Sequence, residues 1–464
     1  MCERATQFAD ILELRLDCLE STELVFEIEK FLKNASRPII LTFRPAEQGG
    51  YRLLERPERV AFWERDWSFP TNSAFDIEAD LVASGLGKFS FAWPRVIVSH
   101  HDFNGVPEDL EQIYERLAAT PAHIVKIAVR ANEITDCIPV FQLLDRARAE
   151  QRELIAIAMG NAGIATRILG PARGAYLTYG SLEDESATAP GQVNARQLRS
   201  VYHLDDIDHD TMICGLVGLP VMHSVSPHMH NAAFTAEGVN GVYLPLEVRD
   251  IDAFVKRMVH PQTREIDWNL RGLSVTAPHK SSVIELLDWV DAEAQEIGAV
   301  NTIVIENGLL HGYNTDVYGF IEPLRERVGS LADARVAVIG AGGAARAAVW
   351  SLTKDGARVT VFARDPAKGE PLAGASFASY DIVINATPTN PTRAEQLAGA
   401  RLVYDLIYNP IETQFLKDGR AVGCEALGGL PMLVAQARRQ FELWTGKTPS
   451  AELMYDAAAA ALGA

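Results

Sequence analysis

Apolar and polar positions follow two different rhythms along the chain. Short β-branched or aliphatic runs lie at Asp10–Leu16, Pro38–Phe43, Phe75–Glu78, Arg95–Ser99, His123–Val129, Glu153–Ala158 and Gly174–Tyr179. Between them come amphipathic stretches of helical length, such as Pro107–Ala119 and Glu133–Glu150. Apolar strands alternating with helices predict a parallel sheet covered on both faces. About 200 residues of this pattern suit a (β/α)8-type barrel. The seven runs leave that barrel without its first strand, because the residues before Asp10 read as a helix end. A shortened barrel explains the gap, and so does a start codon upstream of Met1.

The pattern breaks at the acidic stretch Leu204-Asp-Asp-Ile-Asp-His-Asp210, which reads as a linker. A second α/β unit opens at Ile213–Val217, and a third at Arg335-Val-Ala-Val-Ile-Gly340, where a strand runs straight into a glycine turn. The expected division is residues 1–205 for the barrel, 211–322 completed by 432–464 for a second domain, and 323–431 for a Rossmann domain. The fold class is α/β throughout.

Charge narrows the choice of partner. A net charge of −18 with no basic concentration argues against nucleic acid and anionic membranes, so an anionic substrate needs a local basic pocket. The cysteines, Cys2, Cys18, Cys137, Cys214 and Cys424, are odd in number and form no CxxC pair, which suits reduced thiols and a cytoplasmic location. No uncharged apolar run of about 18 residues suggests a membrane span. Small molecules are the expected partners; oligomeric state is not legible.

In barrels the chemistry gathers at strand C-terminal ends. Those ends offer Glu13, Arg15, Arg44, His101 and Lys126. Lys126 lies in His-Ile-Val-Lys-Ile-Ala-Val, a run that burial should claim entirely. Burial and the neighbouring cations Arg15 and Arg44 would lower its basicity, as an imine-forming amine requires. An ion-paired structural lysine is the plainer alternative. His100, next to His101, should face the opposite side of its strand.

The motifs around these residues resemble the type I 3-dehydroquinate dehydratases. They are Glu13-Leu-Arg-Leu-Asp17, Thr42-Phe-Arg44 with Gly49-Gly50, Ser99-His-His-Asp-Phe103, Val125-Lys-Ile-Ala128, Met159-Gly160 with Arg167, and Ala189-Pro-Gly-Gln192. The resemblance spans about residues 10–202. It implies that Lys126 forms an imine with the substrate ketone, and that His101 removes a proton and later protonates the departing hydroxyl. Arg167 would hold the carboxylate, with Thr188 and Gln192 on a lid; Glu13, Arg15 and Arg44 would bind hydroxyls. The sequence departs from the family at Gln48, where an acid usually orients the histidine, and at Thr188, usually serine.

In the third unit, Gly340-Ala-Gly-Gly-Ala-Ala-Arg346 follows a strand and opens a helix, the setting of a dinucleotide turn. Gly340, Gly342, Gly343 and Ala344 would approach the pyrophosphate. The next strand ends at Ala363-Arg364 rather than at an acid, so Arg364 and Lys368 suit a 2′-phosphate, hence NADP, although Asp365 lies beside them.

Upstream, Gly215–Asn231, Ser274-Val-Thr-Ala-Pro-His-Lys280, Gly298-Ala-Val-Asn-Thr302 and Gly312-Tyr-Asn-Thr-Asp316 resemble the shikimate dehydrogenases. Asn385-Ala-Thr-Pro388, Asp405–Pro410 and Gly428–Gln436 continue the likeness to the C-terminus. It implies a catalytic pair, Lys280 and Asp316. Ser224 and Ser226 would bind the substrate carboxylate, and Thr276, Asn301 and Gln436 its hydroxyls, with help from Ser274. Thr387, Tyr408, Gly429 and Met432 would line the nicotinamide side. His223, His228 and His230 are spaced like metal ligands but lack partner acids, and no metal is expected.

The expected function is dehydration of 3-dehydroquinate to 3-dehydroshikimate, followed by reduction to shikimate with NADPH. Alternatives are a degenerate barrel carried by a working dehydrogenase, a non-catalytic NADP-sensing regulator, and an NAD-dependent quinate dehydrogenase.

Overall fold

A computed structural model describes residues 2–19, 32, 35–65, 71–83, 93–182, 191–365 and 367–463. The chain divides into two compact units. One comprises Met1–Thr211 with Pro245–Val259 and Thr263–Trp268; the other comprises Met212–Leu244, His260–Gln262 and Asn269–Ala464.

The first unit is built on six parallel strands in sequential order: β1 (Leu12–Arg15), β2 (Ile39–Thr42), β3 (Ser73–Glu78), β4 (Val96–Asp102), β5 (Ile124–Arg130) and β6 (Leu154–Met159). Their side chains alternate faces, so one face of each strand is read by every second residue. Ile40 of β2, Ile97 of β4, Ile124 and Ala128 of β5, and Ile155, Ile157 and Met159 of β6 share an apolar cluster, with Ile11 and Ala74 packed on it. Continuing two residues at a time from this layer gives Glu13 and Arg15, Thr42 and Arg44, Asp76 and Glu78, Ser99 and His101, and Lys126. On β5 and β6 the cluster continues alongside these polar positions, with Ile155 in register with Lys126 and Ala128 in register with His101. Expectation and structure differ at Gly174–Tyr179. Only Ala175 pairs there, with Leu154, and Gly174 has φ +97°, so the segment is a turn with one bridge rather than a strand.

The second unit holds two sheets. In the first, β7 (Met212–Gly218), β8 (Gly241–Glu247), β9 (Leu270–Val275), β10 (Trp289–Val290), β11 (Thr302–Glu306) and β12 (Leu309–Tyr313) run in the order β10-β12-β11-β9-β7-β8, with β11 antiparallel to both neighbours. In the second, β13 (Arg335–Ile339), β14 (Arg358–Ala363), β15 (Glu370–Pro371), β16 (Ile382–Asn385), β17 (Leu402–Asp405) and β18 (Glu425–Leu427) are all parallel, in the order β15-β14-β13-β16-β17-β18. This is a doubly wound order that reverses beside β13, where a dinucleotide binds in such sheets.

Two helices join the sheets. Asp316–Val328 packs against Gly429–Thr445, and Gly319 is the reason they come so close: a Cβ there would lie 2.6 Å from Cβ of Gln436. Among the described residues, no helix is long and apolar enough to cross a membrane.

Candidate active sites

On the six-stranded sheet, Lys126 is 4% exposed and its ammonium is enclosed by charge. Nζ donates to Oδ2 of Asp76 at 2.7 Å and to Oη of Tyr179 at 3.1 Å, and Oε1 of Glu13 lies 3.9 Å away. Arg44 approaches the same Asp76 oxygen at 2.6 Å, while Glu13 accepts from Oγ1 of Thr42 at 2.8 Å. Burial pulls the lysine below its ordinary basicity; Asp76 opposes this and Arg44 adds to it. Burial would raise Asp76, but Arg44, Lys126 and His101 outweigh it and keep the carboxyl well below the usual range.

His101 faces the same interior. Burial, then Arg44 and Lys126, hold its pKa well below the ordinary histidine value, so the ring is a neutral base at physiological pH. Its Nδ1 has no hydrogen-bond partner among the described residues. Gln48 turns elsewhere, donating to Asp80 at 3.5 Å. Glu78, on the same face as Asp76, is buried and pushed up to about 7 chiefly by desolvation.

The other predicted residues of this site land as follows. Arg15 grips Asp17 through Nε and Nη2 (3.0 and 2.8 Å) and donates to the Gly49 carbonyl. Arg167 is 2% exposed on the helix Ile164–Leu169, and its Nη1 lies 3.5 Å from the Tyr179 carbonyl. Gln192 follows Gly191, where φ is +67° and a Cβ would meet the Gly160 carbonyl oxygen at 2.2 Å. Glycine there lets the segment carrying Gln192 lie on the turn after β6. Thr188 lies outside the described residues. His100 belongs to the opposite face, with Arg116 and Asp109 among its charged neighbours.

Sequence reasoning missed Asp76 and Tyr179. The signal for the first was present: Phe75-Asp-Ile-Glu78 puts two acids on one face of a strand, and that placement is costly unless cations meet them.

In the second unit, a cavity of about 250 Å³ is lined by Ser224, Ser226, Thr276, Lys280, Asn301, Asp316 and Gln436 on one side, and by Tyr408, Gly429 and Met432 on another. Lys280 and Asp316 form a close ion pair, Nζ to Oδ2 at 2.5 Å, with side chains 33% and 21% exposed. Asp316 is the first residue of the helix Asp316–Val328, where the positive end of the helix dipole favours a carboxylate. Its Oδ1 accepts from Nδ2 of Asn301 at 2.9 Å, and Asn301 is itself fixed by Thr315 N–H at 2.7 Å and Thr302 Oγ1 at 2.8 Å. Ser226 opens the helix Ser226–Ala236, and its hydroxyl lies 3.1 Å from that of Ser224, giving paired donors at a helix N-terminus.

Behind the cavity a buried relay was not foreseen. Tyr243 Oη donates to Ser274 Oγ (2.7 Å), which donates to Gln440 Oε1 (2.8 Å), while Gln440 Nε2 reaches the Asn301 carbonyl (3.2 Å) and Thr302 Oγ1 (3.0 Å). Gln440 stands one turn beyond Gln436 on the same helix face, the spacing that could have revealed it. His223 lines the cavity, while His230 is buried and stacked on Tyr243 at 4.3 Å.

The glycine turn after β13 has the form a dinucleotide requires. Gly340 adopts φ +120°, and a Cβ there would press on the Ala386 carbonyl at 2.9 Å. A Cβ on Gly342 or Gly343 would meet nothing within 4 Å, so the N-terminus of the helix Gly343–Lys354 is open to a ligand's approach. Gly340 and Lys368 line one cavity of about 850 Å³. Arg364 and Ala344 are exposed; Arg364 has no ion-pair partner among the described residues. Asp365 accepts from Ala367 N–H at 3.0 Å, and its other oxygen lies 3.9 Å from Nζ of Lys368, so the acid stays beside a cation expected to meet the phosphate. Thr387 is oriented by its bond to Asn385 Oδ1 at 2.7 Å.

A buried lysine on a barrel-type sheet, joined on one chain to a Lys–Asp pair and a dinucleotide turn, defines a two-site α/β enzyme. The family models agree on both halves: type I 3-dehydroquinase over residues 1–209, shikimate dehydrogenase substrate-binding domain over 216–303, and shikimate 5′-dehydrogenase C-terminal domain over 429–459. The chloroplastic bifunctional 3-dehydroquinate dehydratase/shikimate dehydrogenase of Arabidopsis thaliana is 31% identical over 96% of this chain and 79% of its own. The shikimate biosynthesis protein AroDE of Chlamydia pneumoniae is 28% identical over 95% of this chain and 91% of its own. The NADP(+) shikimate dehydrogenase of Caldanaerobacter subterraneus is 39% identical over 54% of this chain and 97% of its own. The chain belongs to the family of bifunctional 3-dehydroquinate dehydratase/shikimate dehydrogenases.

Proposed function

We propose that this chain dehydrates 3-dehydroquinate at Lys126 and reduces the product, 3-dehydroshikimate, to shikimate at Lys280. The observation that carries the reading is the buried Lys126, on a shared face with His101 and braced by Asp76. Burial makes the free amine accessible, so Nζ can attack the substrate ketone and form an imine. The iminium acidifies the neighbouring C–H. His101, neutral in its buried setting, takes that proton and returns one to the departing hydroxyl. Arg167 anchors the carboxylate through a charge-assisted pair, with Gln192 over the site.

In the second half, NADPH supplies the hydride when bound. Backbone groups of Gly340, Gly342, Gly343 and Ala344 would hold its pyrophosphate, and Arg364 with Lys368 its 2′-phosphate. Thr387, Tyr408, Gly429 and Met432 would form the nicotinamide wall. Ser224 and Ser226 orient the substrate carboxylate; Thr276, Asn301 and Gln436 bind its hydroxyls. Lys280 then faces the carbonyl oxygen, stabilises the charge that develops there and delivers a proton, with Asp316 fixing its direction. The expected domains, 1–205, 211–322 with 432–464, and 323–431, separate these roles.

NADPH consumption started from 3-dehydroquinate tests the whole sequence. Intact protein should consume NADPH from either substrate, whereas Lys126→Ala should consume it only from 3-dehydroshikimate. The reading in which only the dehydrogenase works is favoured by Gln48, which bonds Asp80 rather than the histidine. It requires that intact protein, too, respond only to 3-dehydroshikimate.

A further inference from the structure

Tyr179 has no part in the mechanism above, yet its side chain is in direct contact with the reacting nitrogen. Oη lies 3.1 Å from Lys126 Nζ, and the ring centroid lies 4.2 Å from it. The backbone of the same residue offers its carbonyl to Arg167, so Tyr179 sits between the nucleophile and the carboxylate anchor. Among the described residues, the other oxygens that pair with Nζ belong to carboxylates, Asp76 at 2.7 Å and Glu13 at 3.9 Å. Asp76 is bound by Arg44 and Lys126 together and held ionised, and Glu13 accepts from Thr42. Among the described residues, Tyr179 therefore brings to Nζ a hydroxyl that can both donate and accept.

We propose that Tyr179 is a catalytic residue that relays a proton during imine formation at Lys126. The proposal rests on the assignment of Lys126 as the nucleophile. When neutral Nζ attacks the ketone carbon, the C–N bond forms and the carbonyl electron pair moves to oxygen. The product is a zwitterion with ammonium nitrogen and alkoxide oxygen attached to the same carbon. The Tyr179 hydroxyl accepts a proton from that nitrogen and passes its own proton to that oxygen, yielding the neutral carbinolamine. Nothing is oxidised or reduced, and the phenol is neutral before and after. A relay of this kind suits this phenol, because burial, with Glu13 and Asp76 adding to it, disfavours phenolate. Nitrogen and oxygen are separated by one carbon, so a group in hydrogen-bond range of Nζ can serve both.

Tyr179→Phe keeps the ring over the lysine and removes only the hydroxyl. Rapid mixing of intact protein with 3-dehydroquinate, quenched at intervals with borohydride, measures imine formation on Lys126 directly. The variant should form the adduct about 10²-fold more slowly, reach the same final yield, and recover rate as imidazole or formate buffer is raised, because small acids and bases replace the missing relay. The dehydrogenase rate of the same sample should be unchanged. Imine formation at the original rate, or slowing that no buffer relieves, would overturn the relay while leaving Lys126 as nucleophile. Absence of any Lys126 adduct in the unmodified protein would instead overturn the imine reading, and the relay with it.

Discussion

The two sites put a lysine to opposite uses, and their surroundings differ accordingly. Lys126 is 4% exposed on a strand that also carries the apolar cluster, with its counter-ion Asp76 fully buried and shared with Arg44. The side chain of Lys280 is 33% exposed, on the wall of an open cavity, and pairs with an Asp316 that a helix N-terminus and Asn301 already stabilise. A nucleophile must lose its proton, so burial and a nearby cation help it. A group that stabilises a growing oxyanion must keep its proton until the transition state, so a carboxylate that pairs with no second cation among the described residues helps. Removal from water and division of the counter-ion thus distinguish the two roles more clearly than the identity of the residues.

The comparison breaks first at the lysines themselves. Lys126→Ala should lower dehydratase kcat/KM by more than about 10³-fold and leave the dehydrogenase unaffected, measured separately on the two substrates. Equal losses in both activities would mean the halves depend on one another. A smaller effect, about 10²- to 10³-fold in kcat, is expected for Lys280→Met on 3-dehydroshikimate reduction, with the KM for NADPH little changed. A rise in cofactor KM with kcat preserved would recast Lys280 as a binding residue. Arg364→Ala should raise the KM for NADPH about 10- to 100-fold and leave NADH use unchanged; equal effects on both cofactors would remove Arg364 from the 2′-phosphate.

The gentlest test is pH. Burial places the amine of Lys126 below its ordinary pKa and the ring of His101 well below 6.5. Both groups act in their neutral forms, so dehydratase kcat/KM should rise with pH through a lysine limb lying below the usual 10.5. Its slope should steepen from about one to about two only at a pH well under 6.5, where His101 takes up a proton. A second limb at 6.5 would show that His101 is more hydrated in solution than its packing implies.

Much of this arrangement was legible in strand periodicity. Glu13, Arg15, Arg44, His101 and Lys126 follow the apolar residues of their strands at steps of two, so their common face is legible in the sequence. Asp76 obeys the same rule but lies between the apolar Phe75 and Ile77, which mask it. Tyr179 was hidden differently: it belongs to a segment that pairs through one residue only, and a turn's hydroxyl cannot be placed by periodicity. Arg15 illustrates a third limit, since the competition of Asp17 and the Gly49 carbonyl for its guanidinium depends on a loop closing. In the second unit the glycine turn was clear from strand and helix context. The approach of Gly319 to Gln436, which positions one wall of the cavity, needs two helices that are distant in sequence to be packed together.

The dehydratase mechanism turns on the chemical state of one nitrogen, Nζ of Lys126. Intact protein treated with borohydride in the presence of 3-dehydroquinate, then digested and mapped by mass spectrometry, should carry a reduced substrate adduct on Lys126, and Lys126→Ala should carry none. An unmodified Lys126, in a sample that still reduces 3-dehydroshikimate with NADPH, would contradict the imine mechanism and leave the six-stranded half without the role assigned to it.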